Sequence, residues 1–316
     1  MRNMIKGIVL AGGAGTRLNP ITKGVSKQLL PLYDKPMVYF PISVMLLAGI
    51  RDILVITTPE DSPSFKKLLG DGSDYGVRFS YAVQEKPNGI SCAFLIAEEC
   101  GFLSPGEPVC LVLGDNVFHS SGLSETLRKA AKMAKYGRAT IFGYYVKDPR
   151  RYGVAVVDKT GVSEKGFYRC LGIEEKPEKP KSNYAVIGLY FYPGTVLDEV
   201  KKLKPSARGE LEITDLNKLY IDSGGNRLGI HLLPRGFTWF DAGTFDSLLD
   251  AQNYVQAVEK RTGCQLGCLE EIAYNNGWIT KEKLLETAGR MKNSEYGKYL
   301  VSLSEQEPVP VDMQDD

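Results

Sequence analysis

Charged side chains follow several apolar runs of the sequence, where a chemical site could be built. They are Arg17, Lys27, Asp115, Glu175, Lys176, Arg208 and Asp241. The cations of this set could offset the repulsion between a nucleoside triphosphate and a second phosphate compound. The two aspartates could hold Mg²⁺, an ion that keeps most of its waters and takes one or two protein carboxylates. Taken together, the residues fit a reaction between two phosphate-bearing substrates.

Each of these residues also has a purely structural explanation. Asp115 and Asp241 stand next to glycine-containing segments and could be turn formers. Lys176 precedes a proline and could be a solvated loop charge, and Arg208 could satisfy a helix terminus. Only their combination favours a site.

The chain contains only two histidines, His119 and His231, so it offers few residues for histidine-based acid–base catalysis. An attacking phosphate is already an anion at neutral pH and needs no general base. Catalysis would then consist of positioning and charge neutralisation. Two aspartates without a nearby histidine also suit Mg²⁺ better than zinc.

The segment from Lys6 to Pro31 predicts a phosphate-binding loop. A short apolar run typical of a buried strand leads into Gly12-Gly13-Ala14-Gly15, followed by Arg17 and, later, Lys27. A Walker loop is excluded because no Gly-Lys pair stands at the required offset. A dinucleotide fingerprint is excluded because Leu18 occupies the position of its third glycine. A glycine-rich turn without a ligand remains the alternative.

Strand-like and helix-like segments alternate through the first two-thirds of the chain, which predicts an α/β fold with a largely parallel sheet and helices on both faces. Ligands of such sheets bind at the carboxyl ends of the strands. Gly12, Gln84 and Asp115 each follow a predicted strand. We therefore expect these three residues to lie close together.

Several local features are predicted from caps and breakers. Residues 36–49 form a helix, Ser91 and Thr244 cap helices, and residues 161–169 form a hairpin or insertion. Residues 1–260 form the α/β domain, 261–303 a helical extension packed on it, and the acidic, proline-containing residues 304–316 a disordered tail.

Composition limits the classes of function. The 316 residues carry a net charge of +1, which argues against nucleic acid or an acidic membrane as partner. The six cysteines are scattered, and most of them sit in apolar contexts that indicate core thiols of a reducing compartment. The apolar runs are too short for a signal peptide or a membrane span. We expect a soluble cytoplasmic protein.

The ordered motifs LAGGAGTRL, SKQLLP, LGDN, RYGV, EEKP, SNYAVIGLY, PSARGELEITD and WFDAGT resemble those of sugar-1-phosphate nucleotidylyltransferases. The resemblance extends from Lys6 to about Leu300. It implies a Rossmann-like three-layer fold with a mixed, mostly parallel sheet and a helical C-terminal part. It also implies a Mg²⁺-dependent enzyme that joins dTTP and glucose 1-phosphate into dTDP-glucose and pyrophosphate, the first step of dTDP-sugar biosynthesis of the dTDP-rhamnose type.

The resemblance also implies a role for each matching residue. The implied catalytic cations are Arg17, Lys27, Lys176 and Arg208. The implied nucleotide-binding residues are Gly12, Gly13, Gly15, Thr16, Gln28, Gln84, Gly89 and Asp115. The implied sugar-phosphate-binding residues are Asn116, Tyr152, Gly153, Glu175, Lys176, Val186 and Arg208. Asp115 and Asp241 are the implied metal ligands.

The family further implies a homo-oligomer, commonly a tetramer, with feedback inhibition by a downstream dTDP-sugar. The chain departs from the family pattern at Ser91-Cys92, at His119, around Asp241 and in a longer segment from Gly161 to Gly172. Three rival functions stay open: the same chemistry with UTP preferred, a catalytically silent nucleotide-sugar sensor, and an NAD-dependent dehydrogenase.

Overall fold

The computed structural model describes residues 5–13, 15–160, 166–223 and 227–309. The strands in these ranges are β1 (Lys6–Ala11), β2 (Pro31–Leu32), β3 (Lys35–Pro36), β4 (Asp52–Thr57), β5 (Arg78–Val83), β6 (Val109–Leu113), β7 (Asn116–His119), β8 (Ala139–Tyr145), β9 (Gly153–Asp158), β10 (Phe167–Glu175), β11 (Tyr184–Tyr192), β12 (Leu228–Leu232) and β13 (Thr238–Asp241). The helices are α1 (Tyr39–Leu47), α2 (Ser62–Leu69), α3 (Cys92–Glu99), α4 (Leu123–Lys135), α5 (Val196–Val200), α6 (Ile213–Asp222), α7 (Phe245–Thr262), α8 (Leu269–Asn275), α9 (Lys281–Arg290) and α10 (Glu295–Ser304).

One mixed sheet organises the fold, with the strand order β5-β4-β1-β6-β11-β8-β12-β10-β9. Its first four strands are parallel, and β12 is parallel to β8. The other pairs, which join β11 to β6, β8 and β9 and join β10 to β9 and β12, are antiparallel. The mixed α/β fold is confirmed, but a mostly parallel arrangement holds only for the first four strands. Parallel pairing needs a crossover connection, and the described residues between β8 and β11 contain no helix.

The second half of the sheet closes on itself. A register shift in β11 between Val186 and Tyr190 lets its first residues pair with β8 on one side and β9 on the other. Val186 lies opposite Gly153 in this pairing. Two residues that the sequence assigned to one site are thereby placed side by side, although a loop and a hairpin separate them along the chain.

Helices cover both faces of the sheet, as the three-layer prediction requires. Consecutive residues of β1 alternate between the two hydrophobic cores, with Ile8 packed in one and Val9 in the other. Helices α1 and α4 contribute to the core around Val9, whereas α3 and α6 contribute to the core around Ile8. A third, smaller core packs Leu18, Leu30 and other residues of the loop region against α7.

One predicted helix cap is confirmed, and three other local predictions differ from the structure. Thr244 does cap α7: its hydroxyl accepts from Ser247 N (3.3 Å), and Ser247 Oγ accepts from Thr244 N (3.0 Å). The side-chain cap predicted for Ser91 is wrong, because its buried hydroxyl makes no hydrogen bond within the described residues. The helix predicted from residue 36 begins only at Tyr39, since Pro36 belongs to the β2–β3 hairpin. The predicted 161–169 hairpin is formed by β9 and β10, with residues 161–165 outside the described part.

The C-terminal helices α8, α9 and α10 share a core with the sheet, through buried leucines such as Leu269, Leu284 and Leu300. Helix α7 runs through residue 260 to Thr262, so a boundary there stays a prediction. Helix α10 ends at Ser304, and residues 310–316 of the predicted tail lie outside the described residues. No described helix has the length and apolar character needed to cross a bilayer.

The buried ion pair of Lys35 provides a test of how the hairpin is held to α7. Lys35 Nζ lies 2.8 Å from Glu259 Oε1 and 2.5 Å from Asp34 Oδ1, and the Lys35 and Glu259 side chains are 2% and 4% exposed. Lys35→Met should lower the free energy of unfolding by about 3–5 kcal/mol, because the buried Glu259 carboxylate loses its cation. Urea denaturation measures this loss. Lys298→Met, which breaks only the exposed pair with Glu295, should change it by less than about 1 kcal/mol. Equal effects of the two substitutions would contradict a structural role for the buried pair.

Candidate active site

A cavity of about 690 Å³ opens at the carboxyl ends of β1 and its neighbours. The predicted site residues that line it are Gly12, Gly13, Lys27, Gln84 and Gly89. The expected convergence of Gly12 and Gln84 is confirmed, since a Cβ added to Gly12 would lie 3.4 Å from Gln84 Oε1. The glycine therefore leaves this part of the cavity open beside the amide.

Lys27 links this cavity to the next strand. It begins a short 3-10 turn (Lys27–Leu29), and the neighbouring Leu30 packs in the core formed with α7. Its ammonium donates to Asp115 Oδ2, and the whole residue is only 8% exposed. Packing thus fixes the cation against the carboxylate that follows β6.

A second cavity of about 280 Å³ adjoins the first, and Ile90 lines both. The predicted site residues in its wall are Arg17, Asp115, Asn116, Tyr152, Gly153, Glu175, Lys176, Val186 and Asp241. Because Lys27 lines the larger cavity and its partner Asp115 lines the smaller one, their ion pair lies at the boundary between the two spaces.

The ribbon of β7 and β13 brings the second aspartate to this boundary. Asp241 lies opposite Asn116 in the antiparallel pairing, and Ala242 N donates to Asp115 O at 3.1 Å. The Asn116 side chain makes its hydrogen bonds in the same region. Its Oδ1 accepts from Trp239 Nε1 (2.7 Å) and from Gly188 N (3.2 Å), while its Nδ2 donates to Asp115 Oδ1 (2.9 Å). Asn116 therefore orients the Asp115 carboxylate.

The two carboxylates have opposite electrostatic environments. Burial opposes ionisation of Asp115, but the Lys27 charge and hydrogen bonds from Lys27 and Asn116 outweigh it and hold its pKa below the ordinary value. Burial raises the pKa of Asp241, and the negative charge of Asp115 raises it further, against weaker opposition from Lys27 and Arg17. The boundary therefore carries more buried negative charge than Lys27 neutralises.

This donor set fits a hard divalent cation. Within the described residues, no group of three or more His, Cys, Asp or Glu side chains is placed to hold a metal ion, so the protein would supply two carboxylates at most. A metal here would be held by Asp115 and Asp241 and would keep several waters. That is the coordination typical of Mg²⁺ beside substrate phosphates.

Gln84 and Gly89 shape the far end of the larger cavity. Gln84 Nε2 donates to Asn88 Oδ1 (2.8 Å) and Gly89 O (3.2 Å), which leaves Oε1 as an acceptor. Gly89 has φ = +109°, and a Cβ there would lie 2.5 Å from the backbone N and O of Leu211. Glycine is required at this position for backbone conformation and for the close approach of the 205–211 segment.

Glu175 and Lys176 form the opposite wall of the smaller cavity. Thr214 Oγ1 donates to Glu175 Oε2 at 2.6 Å, and Lys176 Nζ lies 3.4 Å from Glu175 Oε1. Lys176 adopts φ = +43°, which is unusual for a residue with a side chain, and its N–H donates to Tyr152 O at 3.0 Å. Strained backbone of this kind is common at ligand sites.

Four of the sequence-predicted residues do not line either cavity. Gly15 and Thr16 stand at the start of a 3-10 turn. Gln28 is buried under the glycine loop, with Oε1 accepting from Ser26 Oγ (2.8 Å). Arg208 is exposed and forks onto Glu212 at 2.9 Å from each carboxylate oxygen.

Other residues of the cavity walls were missed by sequence reasoning. They include Arg151, Trp239, Thr214 and Gly188 in the smaller cavity and Glu210 in the larger one. Arg151, Gly188, Glu210 and Trp239 each stand within two residues of a predicted site residue, and all five lie in the motifs that carry the family resemblance. Neither histidine lines either cavity.

Comparison with known proteins identifies the family of this chain. Residues 6–258 match the family model described as nucleotidyl transferase. The chain is 54% identical over 299 residues to a glucose-1-phosphate thymidylyltransferase of Neisseria meningitidis, covering 95% of this chain and 99% of that protein. A crystal structure from Bacillus anthracis, described as a glucose-1-phosphate thymidylyltransferase in complex with a sucrose, superposes with TM-score 0.69 and 39% identity. It covers 79% of this chain and 94% of that one. Apo UDP-glucose pyrophosphorylase shares the fold, with TM-score 0.69 and 24% identity over 82% of this chain and 100% of that one.

The unequal environments of the two aspartates predict opposite effects on stability in metal-free protein at neutral pH. Asp115→Asn should lower the free energy of unfolding by about 1–3 kcal/mol, because the lowered pKa of Asp115 marks a stabilising charge that pairs with Lys27. Asp241→Asn should raise the free energy of unfolding, because a raised pKa means that the folded state disfavours the ionised form.

Urea denaturation in the presence of a chelator measures both effects. The exposed Asp250→Asn serves as the matched control and should leave stability unchanged. For wild-type protein, the contribution of Asp115 is lost as pH falls through its lowered pKa, whereas the penalty from Asp241 is relieved as pH falls through its raised pKa. Loss of stability in Asp241→Asn would show that the charge on Asp241 is already compensated.

Proposed function

Since this chain belongs to the nucleotidyl transferase family, we propose that it transfers a thymidylyl group from dTTP to glucose 1-phosphate, with dTDP-glucose and pyrophosphate as products. Its high identity to relatives with that activity, over nearly their whole length, supports the assignment. The reaction would be the first step of dTDP-sugar synthesis of the dTDP-rhamnose type.

One observation carries the proposal: two adjoining cavities meet at the Lys27–Asp115 ion pair. The larger cavity has the size and polar loop that a nucleoside triphosphate needs. The smaller one is lined by carboxylate, hydroxyl and ammonium groups that suit a phosphorylated sugar. The boundary between them is where the two phosphates would meet.

In the larger cavity, the residues support binding of a thymine nucleotide. Gln84 Oε1 can accept from N3–H of thymine, since its Nε2 is already used by Asn88 and Gly89. The loop at Gly12 and Gly13 lets backbone approach the phosphates, and Lys27 supplies charge. Thymine and uracil differ only by one methyl group, which such a pocket discriminates by roughly 10–200-fold.

In the smaller cavity, Glu175 is positioned to accept hydrogen bonds from sugar hydroxyls, and Thr214 fixes its orientation. Lys176 stands beside it to bind the sugar phosphate. A Cβ added at Gly153 would lie 3.3 Å from Thr214 Oγ1 and 3.4 Å from Glu175 Oε2. The glycine therefore leaves space beside these two groups. Arg208 can join Lys176 at the phosphate only by exchanging part of its contact with Glu212.

The bond change needs no proton transfer. An oxygen of the glucose 1-phosphate attacks the α-phosphorus of dTTP in line, and the bond from that phosphorus to the bridging oxygen of the pyrophosphate breaks. The electron pair of that bond leaves with pyrophosphate. The protein orients the two phosphates and offsets their charge, through Lys27 in the larger cavity and through Arg17 and Lys176 in the smaller one.

Nucleotidyl transferases generally depend on a metal, and we propose Mg²⁺, held by Asp115 and Asp241. When bound, it would neutralise phosphate charge at the reacting centre. The raised pKa of Asp241 supports this assignment, since a cation at that carboxylate would relieve the repulsion from Asp115.

Assembly, control and location are further parts of the proposal that rest on the family resemblance. We propose a homo-oligomer, a tetramer, that is inhibited by a downstream dTDP-sugar, and a cytoplasmic location in keeping with the six free thiols. Light scattering and inhibition kinetics test the first two. A silent sensor is disfavoured because Lys27, Asp115 and Asp241 are all present, and a dehydrogenase is disfavoured by the broken dinucleotide fingerprint.

A substrate panel tests the activity. Pyrophosphate should be released only when dTTP, glucose 1-phosphate and Mg²⁺ are all present, and UTP should be a poorer substrate than dTTP. Asp115→Asn should lower kcat by at least about 100-fold, because an electrostatic group at the reacting centre is lost. Asp250→Asn, on the exposed face of α7, should leave kcat unchanged. No turnover by folded wild-type protein with any sugar 1-phosphate would exclude the proposal, and a preference for UTP would change the nucleotide.

The pH profile tests the metal ligands. Protonation of Asp241 should remove a ligand, so kcat/KM at subsaturating Mg²⁺ should fall on the acidic side, at a pH above the ordinary carboxyl value of 3.8. The acidic limb should move to lower pH as Mg²⁺ concentration rises, because the metal competes with the proton. An acidic limb that does not respond to Mg²⁺ would argue against this pair as the metal site.

A further inference from the structure

Arg151 is a cation of the smaller cavity for which the reaction as described has no use. It stands between β8 and β9, directly before Tyr152, and lines the cavity together with Asp241 and Lys176. It does not line the larger, nucleotide-sized cavity. Its location is therefore on the side of the phosphorylated sugar.

The backbone that carries Arg151 is fixed on both sides of the residue. Tyr152 N donates to Pro149 O, and Tyr152 O accepts from Lys176 N, each at 3.0 Å. The Tyr152 ring packs edge-on against Trp239 with a centroid distance of 5.2 Å. Arg151 thus projects from a segment tied to Lys176, which bears another cation of the same wall.

The guanidinium of Arg151 is not used within the protein. In the described ranges it takes part in no hydrogen bond or ion pair, whereas its neighbour Arg150 forks onto Asp148 at 2.8 and 2.6 Å. Lys176 likewise has a carboxylate partner, Glu175. The positive charge of Arg151 acts on the cavity, since it opposes the rise in the pKa of Asp241.

An exposed arginine without a partner, in a cavity that suits a phosphorylated sugar, can bind a phosphate dianion, because its planar fork donates two parallel hydrogen bonds. We propose that Arg151 is a substrate-binding residue that holds the phosphate of glucose 1-phosphate, and that it keeps hold of this group when it becomes the sugar-linked phosphate of dTDP-glucose. The inference rests on the proposed function. It requires no change in covalent bonds at Arg151, only a contact that persists through the transfer.

Steady-state kinetics in both directions test this role. Arg151→Gln should raise KM for glucose 1-phosphate by about 10- to 100-fold, the loss typical of a charge-assisted hydrogen bond, and should raise KM for dTDP-glucose in the reverse reaction. KM for dTTP and for pyrophosphate should stay within about twofold. Arg151→Lys should recover part of the loss, because it keeps the charge without the fork.

Arg150→Gln is the matched control, since Arg150 is also exposed but is paired with Asp148 and lines neither cavity. It should leave all four KM values unchanged. Thermal melting of the variants should agree with wild type, because the Arg151 side chain makes no contact that folding depends on.

Two results would overturn the inference. One is an Arg151→Gln enzyme with wild-type kinetics, and the other is a rise in KM for pyrophosphate in place of glucose 1-phosphate, which would put Arg151 on the leaving group. An inactive wild-type protein would instead refute the proposed function, so the two failures are distinguishable.

Discussion

The ion pair between Lys27 and Asp115 is the contact on which both cavities depend. Its ammonium belongs to the wall of one cavity and its carboxylate to the wall of the other, so the two spaces share a charged boundary. Asp241 lies beside this pair and has no ion-pair partner of its own among the described residues, so burial and repulsion from Asp115 raise its pKa. A local excess of buried negative charge destabilises the protein without a ligand, and it favours binding of a cation at this boundary.

Three separate parts of the fold assemble this boundary. The small core under α7 fixes the segment that carries Lys27. The end of the parallel strand β6 delivers Asp115, and Asn116 orients its carboxylate through bonds shared with Trp239 and Gly188. The β7–β13 ribbon then places Asp241 opposite Asn116. Each part is held by packing or backbone pairing outside the site, so the charges are placed by contacts that do not themselves involve substrate.

Most cations of the site are held by carboxylates before a ligand arrives. Lys27 pairs with Asp115, Lys176 with Glu175, and Arg208 with Glu212. A bound phosphate must therefore compete with an existing partner, and the free energy of binding is the difference between two ion pairs. Arg151 and Arg17 are different in this respect, since in the described part of the chain neither guanidinium has such a partner to lose.

The sequence by itself determined the features that depend on neighbouring residues. Three glycines after an apolar run indicated a phosphate loop, Thr244 indicated its helix start, and the alternation of strand-like and helix-like segments indicated a sheet covered on both faces. Local conformational preferences act over a few residues, which is the range over which the helix start at Thr244 was predicted correctly. The antiparallel pairing of β11 with β6 and β8, the requirement for Gly89 against Leu211, and the role of Asn116 came only with the tertiary structure. They depend on segments that are distant along the chain and meet through strand pairing and packing, and no local pattern in the sequence records which distant segments will meet.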